Sequence, residues 1–65
     1  MNIYAEYKNG RKKNFFVREH NGYYFLERIT KAVGCTIYSC RSNDEMEKYL
    51  NANGYKFIGL VYNAK

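Results

Sequence analysis

The sequence predicts a small α+β domain: a mostly antiparallel sheet of four or five strands with one helix, or two, packed on one face. Three features carry this expectation. Short segments alternate apolar and polar side chains with a period of two, as a half-buried strand does. Asn9-Gly10 and Asn21-Gly22 separate such segments, and Asn-Gly is the strongest short hairpin signal because both positions tolerate positive φ. A single capped helical stretch follows Ser42.

The elements follow in order. Over Asn2–Lys8, Ile3, Ala5 and Tyr7 share one face and Tyr4, Glu6 and Lys8 the other. Beyond the first turn, Arg11-Lys12-Lys13 leads into a second strand, Asn14–His20, with Phe15 and Val17 opposed to Phe16 and Arg18. The segment Tyr23–Val33 admits two readings. As a strand it puts Tyr23, Phe25 and Ile29 on one face; as a helix it lines up Leu26, Ile29 and Val33. The turn before it and its aromatic and β-branched residues favour strand. Gly34 is expected to end it, and Cys35–Arg41 to form a short strand with Cys35, Ile37 and Ser39 opposite Thr36, Tyr38 and Cys40.

Ser42 to Glu45 matches a capping box, with acidic residues in the first turn and Met46, Tyr49 and Leu50 as the apolar stripe. Asn53-Gly54 supplies the stop, and Tyr55 is placed to fold back on Leu50. The last strand, Tyr55–Tyr62, carries Phe57, Ile58, Leu60 and Val61 on both faces. That pattern belongs to an interior strand or to an edge covered by another subunit, with Gly59 as a candidate bulge. The order is β-β-β-β-α-β, or β-β-α-β-α-β if the third segment is helical.

Size bounds the function. A chain of 65 residues holds one domain, residues 1–65, and a marginal core. Cys35 and Cys40 are expected to face opposite sides of one strand, unable to bridge, and to be reduced thiols. The start MNIYAEYKNGRKK has no apolar run of signal-peptide length, and no window approaches the ~20 apolar residues of a membrane span. The expectation is a cytoplasmic protein that uses no membrane. Asn, Lys, Tyr, Ile and Phe make up nearly half of the chain, an AT-rich coding bias, which suggests a phage or mobile-element accessory protein.

No catalytic constellation can be drawn. His20 is the one imidazole and sits beside a turn, three of the carboxylates belong to the helix start, and the glycines stand singly. No metal or cofactor is implied, and an enzyme is not expected.

Two binding readings remain. Net charge is +5, with Lys8, Arg11, Lys12, Lys13 and Arg18 concentrated on the first hairpin among aromatic rings. Cations neutralise phosphates and rings stack bases, so Lys8, Arg11, Lys12 and Lys13 are candidates for binding RNA or single-stranded DNA. Arg11–Val17, RKKNFFV, resembles the basic-aromatic strand of RNA-recognition modules, without that strand's glycines.

The leading expectation is protein contact. Eight tyrosines exceed what one small core holds, and tyrosine gives broad contact with a polar tip. About half are expected in the core, with Tyr4, Tyr7, Tyr23, Tyr24, Tyr38 and Tyr62 as the pool from which an exposed patch is drawn. The expected protein is a homodimeric inhibitor that covers a larger partner, a host or antiphage-defence enzyme. Tyr4, Phe16, Arg18 and Tyr24 are its contact residues.

Overall fold

A computed structural model describes the chain over residues 2–31 and 33–63. It contains strands β1 (Asn2–Asn9), β2 (Lys12–His20), β3 (Tyr23–Thr30) and β4 (Val33–Cys40), helix α1 (Asn43–Ala52) and strand β5 (Tyr55–Asn63). The five strands form one sheet in the order β4-β3-β2-β1-β5, antiparallel throughout. The first four make a meander. The helix then crosses one face and delivers β5 to the far edge, beside β1.

Turn chemistry sets these reversals. Asn21 and Gly22 have φ of 53° and 82°, the double positive φ of a type I′ hairpin, whose twist matches its strands. Gly10 has φ 62°, and Asn14 at φ 71° absorbs an irregularity just inside β2. Tyr23–Thr30 is strand, paired on both sides, so the helical alternative for this segment falls. The reversal comes earlier than the sequence suggests, and β4 starts at Val33, two residues before the expected Cys35. Lys31, at φ 50°, makes the turn, and Gly34 is an interior residue of β4.

The helix begins as its sequence dictates. The Glu45 N–H donates to Ser42 Oγ at 3.0 Å, with Asp44 and Glu45 in the first turn beside the positive end of the helix dipole. At its other end Asn53 Nδ2 donates to the Tyr49 carbonyl at 2.8 Å, and Gly54 turns the chain with φ 80°. Asn9 Nδ2 donates to the Asn53 carbonyl at 3.1 Å, which ties the helix end to the β1–β2 turn.

Register sorts the side chains. Facing α1 are Ala5 and Tyr7 from β1, Phe15 and Val17 from β2, Tyr24 and Leu26 from β3, and Tyr38 and Cys40 from β4. The buried core is small: Phe15, Leu26, Cys40, Met46 and Leu50. Tyr7, Val17, Tyr24, Tyr38, Tyr49 and Tyr55 pack around it, half-buried. Tyr38 stacks on Tyr49 with ring centroids 3.9 Å apart, and Tyr55 meets Phe15 edge-on at 5.0 Å. The tyrosines thus form the wall of the core more than its centre.

One sequence expectation about faces fails. In β4 the register shifts between the partners of Leu26 and Glu27, so that Tyr38 lies opposite Leu26 while Thr36 lies opposite Glu27. Ile37 is the extra residue, and it flips the alternation. Cys35, opposite Arg28, therefore shares the helix-side face with Cys40, opposite Tyr24. The thiols remain unbridged, Cys35 exposed and Cys40 buried, because about five residues of strand, roughly 16 Å, separate them.

Candidate functional site

The helix covers one side of the sheet, and among the described residues nothing covers the other. The molecule measures 31 × 30 × 20 Å, and the short dimension is one sheet plus one helix layer. The open face carries Tyr4 and Glu6 from β1, Phe16 and Arg18 from β2, Phe25, Glu27 and Ile29 from β3, and Val61 from β5.

Tyr4 meets Phe16 edge-on, with centroids 6.2 Å apart. With Ile29 and Val61 they line a shallow apolar hollow of about 210 Å³ across the middle of this face. Beside it, Arg18 grips Glu27 with two hydrogen bonds, Nε to Oε1 at 3.0 Å and Nη2 to Oε2 at 3.3 Å. The guanidinium also lies over the Phe25 ring, 4.7 Å from its centroid. The Glu27 hydrogen bond, opposed in part by burial, raises the Arg18 pKa above its ordinary value, so this cation is permanent. The resulting pattern is an aromatic centre with one oriented ion pair at its margin.

Of the expected contact residues, Tyr4, Phe16 and Arg18 come together on this face. Tyr24 does not. It lies opposite Glu19 and Cys40 on the helix side and packs against the core. Tyr24 sits one residue out of phase with Tyr23 and Phe25, and the face that α1 selects claims it. Phe25, Ile29 and Val61 belong to the open face and were not among the expected contacts. The signal for them was present, since each is in phase with Phe16 or Tyr4 once strand order is known.

The basic candidates lie elsewhere. Lys8, Arg11, Lys12 and Lys13 are all exposed around the β1–β2 turn, at one end of the sheet. The topology adds two cations that the hairpin alone does not reveal. Lys56 lies directly opposite Lys8, and Lys31 occupies the β3–β4 turn at the same end. Like charges directly opposite each other repel, and a polyanion would relieve that. Arg28 extends the group inward, with its guanidinium 5.3 Å from the Phe15 centroid and its Nε buried without a hydrogen-bond partner.

The lysines of the basic end are therefore set apart from the open-face rings, and the cations that meet rings are arginines: Arg18 over Phe25, Arg28 over Phe15 and Arg41 over Tyr23. On the open face Phe16 is flanked across both neighbouring strands by carboxylates, Glu6 on β1 and Glu27 on β3, the latter held by Arg18. The lysine cluster and the Tyr4–Phe16 rings do not share one surface.

The remaining chemistry is sparse. His20 is exposed, opposite Tyr23. Among the described residues, no three of His, Cys, Asp and Glu converge as metal ligands. Partial burial, reinforced by the charge of Glu47, raises the Tyr7 phenol. Tyr38 is raised too, by partial burial and then by its neighbours Cys40, Glu45 and Tyr49. Among the described residues, no helix is long and apolar enough to cross a membrane. Comparison of the chain with protein-family models, with curated proteins and with solved structures finds no match.

Proposed function

We propose that this is a non-enzymatic binding protein whose open sheet face docks on a larger protein and blocks it sterically. The observation that carries the reading is the uncovered hollow formed by Tyr4, Phe16, Ile29 and Val61, with the Arg18–Glu27 pair at its edge. Aromatic and Arg anchors beside a rigid apolar surface are what interface cores use. A sheet face is pre-organised by its hydrogen-bond ladder, so little order is lost on docking. The net charge of +5 would steer the protein toward an acidic partner. The exposed free thiol of Cys35 fits a reducing, cytoplasmic location. The AT-rich coding bias supports a phage or mobile-element accessory protein, acting as an inhibitor of a host or antiphage-defence enzyme.

The test is capture of partners from a host lysate after nuclease treatment, with wild type, Phe16→Ala and Lys12→Glu/Lys13→Glu. The reading expects a protein partner that survives nuclease and moderate salt, is lost with Phe16→Ala and is retained by the charge reversal.

A second reading draws on a specific observation: the topology gathers Lys8, Arg11, Lys12, Lys13, Lys31 and Lys56 at one end of the sheet. A nucleic-acid backbone could bind there electrostatically, without base stacking. That reading expects the reverse result: loss with Lys12→Glu/Lys13→Glu, steep salt dependence and indifference to Phe16→Ala.

A further inference from the structure

We infer that β5 is the subunit contact of a closed homodimer, in which two copies pair antiparallel edge to edge about a two-fold axis at Val61, making one continuous ten-stranded sheet. Val61 belongs both to this edge and to the open-face hollow, so the proposal is tested by oligomeric state and not by partner capture.

The argument starts from an edge that natural proteins normally protect. An exposed edge strand presents unpaired N–H and C=O groups, usually blunted by charge, proline or shortness. β5 has nine residues, no proline, and Lys56 as its one charged residue, near its start. Its side chains are apolar on both faces. Leu60 and Tyr62, opposite Ala5 and Ile3, lie on the helix side, and Val61, opposite Tyr4, lies on the open side. Across Tyr55–Tyr62, the β5 residues whose burial is described, none is buried.

The exposed area fits a small, reversible contact with a second copy. Ile3, Leu60, Val61 and Tyr62, which lie on or beside the paired segment, are each between 37% and 61% exposed. At about 200 Å² per large side chain they offer roughly 400 Å² of apolar surface. That lies within the about 300–600 Å² of the largest patch on a typical monomer, and such patches are often functional.

Register selects the axis. Directly opposite residues share a sheet face, so self-pairing must centre on a residue rather than between two. The bulge at Ile58, where Glu6 faces Gly59 but Tyr7 faces Phe57, leaves 59–63 as the regular segment. Centring on Val61 confines pairing to that segment. Leu60 then faces the partner's Tyr62 on the helix side, beside Ile3, while the two Val61 residues meet on the open face. Charge agrees. β5 runs away from the basic end of the sheet, so antiparallel pairing sends the two Lys8–Lys56 clusters to opposite ends of the dimer.

The other edge is a poorer match. β4 carries Gly34, Thr36 and Ser39, and its own bulge interrupts it at Ile37.

The experiment is sedimentation of the purified chain from about 10 to 500 µM under reducing conditions, with disulfide trapping. The expected mass is twice 7.7 kDa. Leu60→Lys, folded by circular dichroism, should weaken dimerisation at least tenfold. In a Cys35→Ser background, Val61→Cys should form a disulfide-linked dimer on mild oxidation, since opposed Cα atoms lie about 4.5–5.5 Å apart, and Thr36→Cys should not. A monomer at 500 µM, failure of Val61→Cys to cross-link, or growth into open polymers would each overturn the proposal.

Discussion

Replacing Leu26 by Ala tests whether the small helix-side core is what holds the chain folded. Leu26 has no exposed surface and lies between Val17 and Tyr38 in the sheet, within the cluster that contains Met46 and Leu50. The substitution deletes three carbons, about 2.4 kcal/mol of transfer free energy at ~0.8 kcal/mol each. The sheet above and the helix below cannot fully collapse into the gap, and the cavity raises the loss to about 3–4 kcal/mol. A domain of 65 residues has roughly 3–10 kcal/mol in total at about 0.05–0.15 kcal/mol per residue. One side chain therefore commands a third of the stability or more. In a urea titration followed by circular dichroism the midpoint should fall by at least a third, or the variant should be unfolded without denaturant. Leu60→Ala is the control. Leu60 is 57% exposed, so the same deletion costs about 1 kcal/mol at protein concentrations low enough for monomer. Equal losses at the two sites, or a loss below about 1.5 kcal/mol at Leu26, would refute the placement of the core.

Three further outcomes follow from local features. Ser42→Ala removes the acceptor for the Glu45 N–H and should cost about 1 kcal/mol, while Ser42→Asp should hold wild-type stability in the same titration. Asn14 sits at φ 71°, so Asn14→Val should destabilise by about 1–2 kcal/mol and Asn14→Gly should be tolerated, compared by thermal melts. The Tyr7 phenol is raised above its ordinary value of 10.0, so it holds its proton more tightly in the folded chain. Its contribution is complete below about pH 10 and is lost as pH climbs through the folded value, and Tyr7→Phe should flatten the alkaline fall in urea midpoint.

Local signals were readable where neighbours in sequence decide the outcome. Asn21-Gly22 specifies a turn through φ values its own residues tolerate, and Ser42 specifies a helix start through one hydrogen bond to Glu45. The open-face trio Tyr4, Phe16 and Arg18 was likewise readable, because period-two alternation holds along the regular parts of β1 and β2. Tyr24 lies on the opposite face from that trio, and an aromatic strand with rings on both faces does not reveal which face the helix will take. Cys35 was misplaced because a bulge is a relation between two strands, and Ile37 looks ordinary until Leu26 and Glu27 lie opposite it. Lys56 joined Lys8 only through pairing across 48 residues of chain, a juxtaposition that no local window contains.

By itself, then, the sequence determined the element types, the turns, the helix cap and the shortage of interior for so many rings, since each depends on propensity, periodicity or count. Tertiary structure alone decided the strand order β4-β3-β2-β1-β5, and with it which aromatic rings face water and which cations cluster. The physical reason is that α1 can cover only one side of one sheet. By crossing to set β5 beside β1, it buries Leu26 with Tyr24 half-buried beside it, leaves Tyr4 and Phe16 on the uncovered face, and puts the apolar strand β5 at an edge.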